Sequence, residues 1–459
     1  MNMQLNRRDF LASAVAACAA VPVRAVAAAA ESPILRVGIV SDSQGYGYKE
    51  DWGFHNLERA FEVLAKEGVD VLVNAGDIVD GPQEIEALAY VQGLERRHFG
   101  AHKPVDVACL GNHELGFAAA KDRAFAERNL KRFCEIYAYP QGQLVHQVVK
   151  GFDFIAFSRF EDVGYDGAAI AQLRAALDKA VARDANRPVF VVTHFHPQNT
   201  VVDSQGRQGA ALTELFSRYP QVVSLSGHCH YPLQDERCIW QGAFTAIETS
   251  TLSYGCIDGD FANTCGGCII PWGREAVGFM VMDVFADRLE IRRWQAEDQR
   301  PMAGGRAWTV RYPYRPADAV YTEAKRRAVE VAPVFAAGTP FLFRYDFGYA
   351  YFVFDQATHP DFVHHYRLEL TELDAAGKPA GEPKSWRFLG NFYRYERNRD
   401  RRLCFKVPPR AMEAGRRYCV KMFPVASFGT EGRPLTMDLK VIDRYRFRND
   451  EPAVAYPQE

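Results

Sequence analysis

Apolar runs that stop abruptly at short polar clusters recur along the first half of the chain. Ile34 to Ser41 is rich in β-branched residues and ends at Asp42, the pattern of a buried strand. His55 to Gly68 carries Leu57, Phe61 and Leu64 at helical spacing and stops at a glycine, which predicts an amphipathic helix. Val69 to Ala75 reads as the next strand and delivers Asp77. A helical stretch from Gln83 to Arg97 then leads to Val105–Leu110, which delivers Asn112. Asp42, Asp77 and Asn112 fall at equal intervals of 35 positions, and one βαβ unit needs roughly 30 residues or more. The clusters are therefore expected at the carboxyl ends of successive parallel strands, where open α/β sheets place their sites.

A third helix is expected near Lys121 to Phe133. Leu144 to Arg159 then alternates as a hairpin would, a helix follows over Ala168 to Ala182, and Pro188–Val192, Gln221–Leu225 and Phe244–Glu248 read as strands. Val277 to Trp294 closes this part with another hairpin. The predicted fold class is α/β, with two packed mixed β-sheets flanked by helices. Pro, Gly and Arg cluster from Gln299 to Pro316, and the pattern changes beyond them. The aromatic run Phe341–Phe354, the alternation at Tyr366–Thr371 and the run Arg416–Met422 predict a smaller C-terminal all-β sandwich. Gly415-Arg416-Arg417-Tyr418 followed by Gly429 resembles the late-strand pattern of fibronectin type III modules, in which Tyr418 would be the corner tyrosine. The arginine-rich run Arg394–Arg402 also holds Glu396 and Asp400 and reads as a solvated hairpin tip.

At 459 residues the chain exceeds what one hydrophobic core usually serves. The expected organisation is a signal peptide over 1–28, an α/β domain over 29–298, a linker over 299–335 and the sandwich over 336–459. A formal net charge of −2 offers no broad positive field, so nucleic-acid binding is not expected. Arg7-Arg8-Asp9-Phe10-Leu11 before an Ala/Val-rich stretch resembles a twin-arginine export signal, which implies that export machinery as a partner and a periplasmic or secreted destination. The apolar stretch is shorter than the ~20 residues that span a bilayer, so no transmembrane segment is expected after cleavage. Val15-Ala16-Ala17-Cys18 is a fainter lipoprotein-like pattern. Loss of Cys18 with the signal would leave nine of the ten cysteines, with Cys265/Cys268 and Cys404/Cys419 as candidate bridges.

Five clusters carry the candidate chemistry: Asp42-Ser43-Gln44, Gly76-Asp77-Ile78-Val79-Asp80, Gly111-Asn112-His113-Glu114, Thr193-His194-Phe195-His196 and Gly227-His228-Cys229-His230. A single Asp or Asn after a strand is by default a cap or turn former. Carboxylates and three histidines converging on one predicted rim ask for more than packing. Taken in order, the clusters resemble the calcineurin-like metallophosphoesterase superfamily over Ile34 to Trp294. The resemblance implies two divalent cations bridged by Asp77, one completed by Asp42, Gln44 and His230, the other by Asn112, His194 and His228. A hydroxide held between them would attack a small phosphorylated substrate, a monoester or diester, with nucleotide-like esters among the candidates. His113 would assist the leaving group, with Glu114 orienting its ring and Asp80 holding a ligand imidazole.

Gln44 stands where most of the superfamily has histidine. A neutral amide oxygen, a harder donor than imidazole, shifts affinity from zinc toward manganese, magnesium or iron(II), with manganese or iron favoured and zinc or magnesium possible. His196 is the other candidate for the lone-histidine position, or a substrate contact. Tyr48 and Trp52, in the aromatic loop Tyr46–Trp52, and Tyr254 are candidates for stacking on substrate, with packing as the plain alternative. Two other functions stay open on the sequence: a catalytically degenerate metal-binding protein whose sandwich recognises a ligand, and a thiol oxidoreductase using Cys265 and Cys268.

Overall fold

A computed structural model describes residues 31–46, 51–116, 122–160, 164–257, 259–266, 268–346, 349–408 and 411–442. The export-signal residues and Tyr48 lie outside them. Strand β1 (Leu35–Val40) is followed by helix α1 (Trp52–Glu67), β2 (Val71–Asn74), helix α2 (Leu88–Phe99) and β3 (Val105–Ala108). The helix α1 starts where the Asp51 side chain accepts from the Gly53 amide, and stops at Gly68 in a left-handed conformation (φ 69°). Leu57, Phe61 and Leu64 are buried as the spacing predicts, and Phe54, ahead of the predicted start, joins them.

A short helix α3 (Asn112–Leu115) and α4 (Arg123–Tyr137) lead to the second run of strands: β4 (Leu144–Val149), β5 (Phe152–Phe157), β6 (Val189–Thr193), β7 (Val222–Ser226), β8 (Ile239–Gln241) and β9 (Thr245–Glu248). Helices α5 (Gly167–Arg183) and α6 (Ala210–Phe216) sit among them. Strands β10 (Gly278–Val284), β11 (Arg288–Gln295) and β12 (Trp308–Arg311) then return to the first sheet. The two six-stranded sheets run β12-β11-β10-β1-β2-β3 and β4-β5-β6-β7-β9-β8. Each is mixed: β1, β2 and β3 pair in parallel, as do β5, β6, β7 and β9, while the flanking pairs are antiparallel. One apolar core joins them, with Val37, Ile39 and Val73 meeting Phe154, Phe190 and Leu225. The parallel strands of both sheets end on the same side, and every predicted cluster lies there.

Two elements fall inside the stretch read as a linker. Trp308 and Val310, both buried, extend the first sheet through β11 in the register Ile291↔Trp308 and Leu289↔Val310. Helix α7 (Glu323–Val329) follows. Seven further strands, β13 (Phe341–Asp346), β14 (Tyr349–Asp355), β15 (His365–Leu373), β16 (Lys384–Leu389), β17 (Arg402–Lys406), β18 (Arg417–Val425) and β19 (Leu435–Lys440), form antiparallel sheets ordered β13-β14-β17 and β16-β15-β18-β19. Phe352, Phe354 and Phe405 pack between them against Tyr366, Leu368, Val420 and Met422. The Tyr418 hydroxyl accepts from the Glu413 amide at 3.0 Å.

The arginine-rich run is mostly exposed, as expected, but it is tied to the α/β part. Arg394 pairs with Glu275 at 3.0 Å, the Tyr395 hydroxyl donates to Glu297 at 2.9 Å, and Arg397 pairs with Asp298, so this turn fastens the sandwich to the α/β part. The described residues from Pro33 onward accordingly form one compact unit. No helix among the described residues is long and apolar enough to cross a membrane.

All nine cysteines of the described residues are free thiols. Cys404 and Cys419 cannot bridge, because the two-residue period that buries Leu403, Phe405 and Val420 turns them outward on opposite sheets. Cys268 meets Cys256, not Cys265: their sulfurs lie 3.4 Å apart, and the Ile257 amide donates to the Cys268 carbonyl. Oxidised glutathione should therefore join Cys256 to Cys268. Mass mapping after alkylation checks this, and a 265–268 bridge would contradict it.

Candidate metal centre

Asp42, Gln44, Asp77, His228 and His230 all have positive φ, between 45° and 76°. Such conformations are sparsely populated for residues with a Cβ and collect at functional sites. Five of the seven expected ligands thus sit on backbone that the sharp strand-to-loop turns force. Close approach explains the glycines. A Cβ on Gly111 would stand 2.1 Å from Asp77 Oδ1, and one on Gly227 would stand 2.2 Å from Asp42 Oδ2.

The side chains form two donor sets. Asp77, His194 and His228 offer ligand atoms within 4.8 Å of one another, and so do Asp42, Asp77 and His230. Asp77 belongs to both. His194 Nε2 lies 3.1 Å from Asp77 Oδ2 and 3.0 Å from Asn112 Oδ1, while His230 Nε2 lies 3.2 Å from Asp42 Oδ1. The other nitrogen of each ring is already engaged: His194 Nδ1 donates to the Ala75 carbonyl and His230 Nδ1 to the Tyr254 carbonyl, both at 2.9 Å. With the proton on Nδ1, each Nε2 presents a lone pair to carboxylate and amide oxygens that also present lone pairs. That arrangement repels unless a cation sits between, so this donor set fits divalent metal.

The electrostatics agree. Burial works against a charged Asp77, yet His194 and His113 outweigh it and hold this carboxyl below the usual range. Burial likewise opposes a charged His194, but Asp77 and Asp42 push it up to about 10. In the absence of metal a proton would take the cation's place. Gln44 closes the first set: its amide lies 3.3 Å from His230 Nε2 and 3.1 Å from His113 Nε2, with the nitrogen toward the rings. Turning the amide by 180° exchanges its ends and aims the oxygen inward.

His194 and His196 part company. His196 points away, its Nε2 2.6 Å from Glu248 Oε2, and these two with Cys229 make a buried cluster behind the ligands. Burial and then His194 push His196 down to about 4, and burial pushes Glu248 well up. Glu114 does not orient His113. Its carboxylate accepts from the amides of Asp77, Ile78, Val79 and Gly111 and so shapes the turn that presents Asp77. Asp80 takes the expected place of Glu114, 3.2 Å from His113 Nδ1, and touches no expected ligand imidazole. His113 Nε2 then faces inward, 3.8 Å from Asp77 Oδ2. Trp52, the first residue of α1, donates to the Ser253 carbonyl at 3.0 Å beneath Arg274, which is packing of the helix start against neighbouring turns. The Tyr254 ring lies 4.6 Å from that of His230.

Residues 35–232 match the family model of calcineurin-like phosphoesterases. This part of the chain is similar to calcineurin-like phosphoesterases. Similar solved structures include a dimetal phosphatase from Danio rerio, 14% identical over 61% of this chain and 100% of that one with a TM-score of 0.40. A purple acid phosphatase from yellow lupin (Lupinus luteus) is 12% identical over 60% of this chain and 53% of that one, with a TM-score of 0.45. No curated protein matches the chain.

Glu248 is the buried acid behind the candidate metal centre that no sequence motif marks. It ends β9 beside Asp42 and His230 without a glycine or a turn signature to mark it. Gly227 offers a test of the packed geometry. Gly227→Ala should leave the fold intact at a cost of ~1–3 kcal/mol, because the clash is confined to Asp42 Oδ2 and Ser41 Oγ. Metal affinity measured by titration should fall with it. An unchanged affinity would mean that Asp42 is not held for a metal.

Proposed function

We propose that the chain is an exported phosphoesterase with two divalent metals, acting on a small phosphomonoester or phosphodiester. The observation that carries this is the place of Asp77 in both donor sets, since a shared carboxylate is what two neighbouring cations require. Bound there, the cations would polarise the phosphoryl oxygens and lower the pKa of a water so that it can attack. Asp42, Gln44 and His230 would hold one cation, Asn112, His194 and His228 the other, with Asp77 between. The buried Asp77 and Asp42 place negative charge where cations bind. His113 presents Nε2 to the leaving oxygen and gives it a proton, while Asp80 at Nδ1 fixes the ring.

The amide of Gln44 in place of an imidazole supports manganese or iron(II) over zinc. The fibronectin-type-III-like reading of the C-terminal part draws support from its seven strands and from the Tyr418 hydroxyl held by the Glu413 amide. Export rests on Arg7 and Arg8, and changing both to lysine should leave the protein in the cytoplasm.

The direct test is metal analysis with assays on chelated and manganese-reloaded protein. Two ions per chain are expected, with hydrolysis of bis(p-nitrophenyl) phosphate or p-nitrophenyl phosphate that chelation abolishes. The ratio of the two rates decides between diester and monoester. Hydrolysis indifferent to chelator would sink the proposal.

A further inference from the structure

A cavity of about 510 Å³ opens away from the metal centre, where the loop after β6, the segment from Arg237 to α7 and the β15–β16 edge of the sandwich meet. None of the seven expected ligands lines it. Arg237, Arg326, Arg327 and Arg387 do, against one carboxylate, Glu323. Three of these guanidiniums have acidic partners: Asp235 for Arg237 at 2.7 Å, Glu236 for Arg326 at 2.5 Å and Glu323 for Arg327 at 2.7 Å. Arg387 meets no carboxylate among the described residues. It is exposed to the cavity and lies over the Phe261 ring, 5.0 Å from its centroid. The unbalanced charge on this wall is therefore positive.

The histidines on the same wall feel that charge. Burial, then His364 and the guanidiniums of Arg387 and Arg237, hold His365 well below the ordinary imidazole value, so it stays neutral. An uncharged ring beside cationic forks leaves room for an anion and removes none of the field that would attract it. Four aromatic rings, Trp240, Phe261, Tyr321 and Phe428, stand in the lining among polar and aliphatic residues. Trp240 contributes to the wall, and Arg326 lies 5.1 Å from the centroid of Tyr321. The volume falls within the ~300–1,000 Å³ of small-molecule sites, which pair apolar and aromatic walls with a few placed polar groups. Guanidinium forks match phosphate oxygens in pairs.

From this wall we propose that the cavity is a second ligand site, for a small organic phosphate that carries a flat ring. Arg387 binds the phosphate, with Arg237 beside it, and the aromatic wall takes the ring. Because its lining comes from both the α/β part and the sandwich, an occupant touches both.

The probe is AMP, titrated calorimetrically into the full chain carrying Asp77→Asn, so that hydrolysis does not consume it. Saturable binding is expected, weakened at least tenfold by Arg387→Gln and by Arg387→Glu. Adenosine and inorganic phosphate, each with half of the recognised chemistry, should bind at least tenfold more weakly than AMP. In the protein that keeps Asp77, the Arg387 variants should leave bis(p-nitrophenyl) phosphate hydrolysis unchanged. Absence of AMP binding, or affinity that survives both substitutions, overturns the inference. So does equal binding of inorganic phosphate, or a parallel fall in hydrolysis, which would assign Arg387 to the metal centre. The binding arm stands whether or not the chain hydrolyses any ester tried.

Discussion

Asp77→Asn should abolish both metal binding and hydrolysis without unfolding the protein. Loss of a group that only supports a ligand costs ~10–100-fold in affinity or activity, and Asp77 is expected to touch both cations directly, so the loss should exceed that range. The fold should survive because the interactions of Asp77 that an amide can keep are kept: Oδ1 accepts from the His113 amide at 2.9 Å. What disappears is a buried negative charge. Without metal that charge is balanced chiefly by His194, which Asp77 itself holds in the charged form against burial. The metal-free variant should therefore melt no lower than metal-free wild type, since a neutral side-chain amide at this position leaves His194 free to be neutral too. The contrast comes on adding manganese. A ligand at a hundred times its dissociation constant stabilises the folded state by ~2.7 kcal/mol, so wild type should gain several degrees in Tm and the variant should gain none. A variant that still binds two ions would show that the shared carboxylate is not the bridge.

The donor sets were legible in the sequence because each donor except the histidine that follows β6 sits within three residues of a glycine, just past an apolar run. Strand, tight turn and metal donor leave a local signature, and the positive φ values at Asp42, Asp77, His228 and His230 are its structural form. What the sequence hid has no such signature. Strand β12 is four residues long and ordinary in composition, and becomes a strand only because β11 offers an edge to it. Glu248 ends a strand like many surface acids, and only the fold reveals that it is wholly buried against His196. The exchange of roles between Glu114 and Asp80 has the same cause. Adjacency suggests that Glu114 would hold its neighbour's ring, but helix α3 turns its carboxylate back onto the amides of Asp77–Val79 and Gly111, and leaves the His113 ring to face Asp80 across the site. Charge runs mislead similarly. Arg394 reads as solvated until the carboxylate of Glu275, just ahead of the closing hairpin of the first sheet, is placed opposite it.

His113→Asn separates leaving-group chemistry from metal binding, and its effect should depend on the ester. A positioned general acid contributes ~10²–10⁴-fold when the departing oxygen needs a proton. An alkyl phosphate ester, whose leaving alkoxide is strongly basic, should lose rate in that range. A p-nitrophenyl ester leaves as a stabilised phenolate and should lose far less. The substitution keeps the backbone amide that donates to Asp77 Oδ1, so metal content should stay at the wild-type level. Asp80 supplies the control. It touches Nδ1 of His113 and not the expected metal ligands, so Asp80→Asn should move the same leaving-group dependence in the same direction by a smaller factor. It should add nothing when combined with His113→Asn, because without the imidazole there is no ring left to orient. Equal losses on alkyl and p-nitrophenyl esters would instead place His113 in holding the phosphoryl group or the cation, and an Asp80 effect that persists in the double variant would separate the two residues altogether.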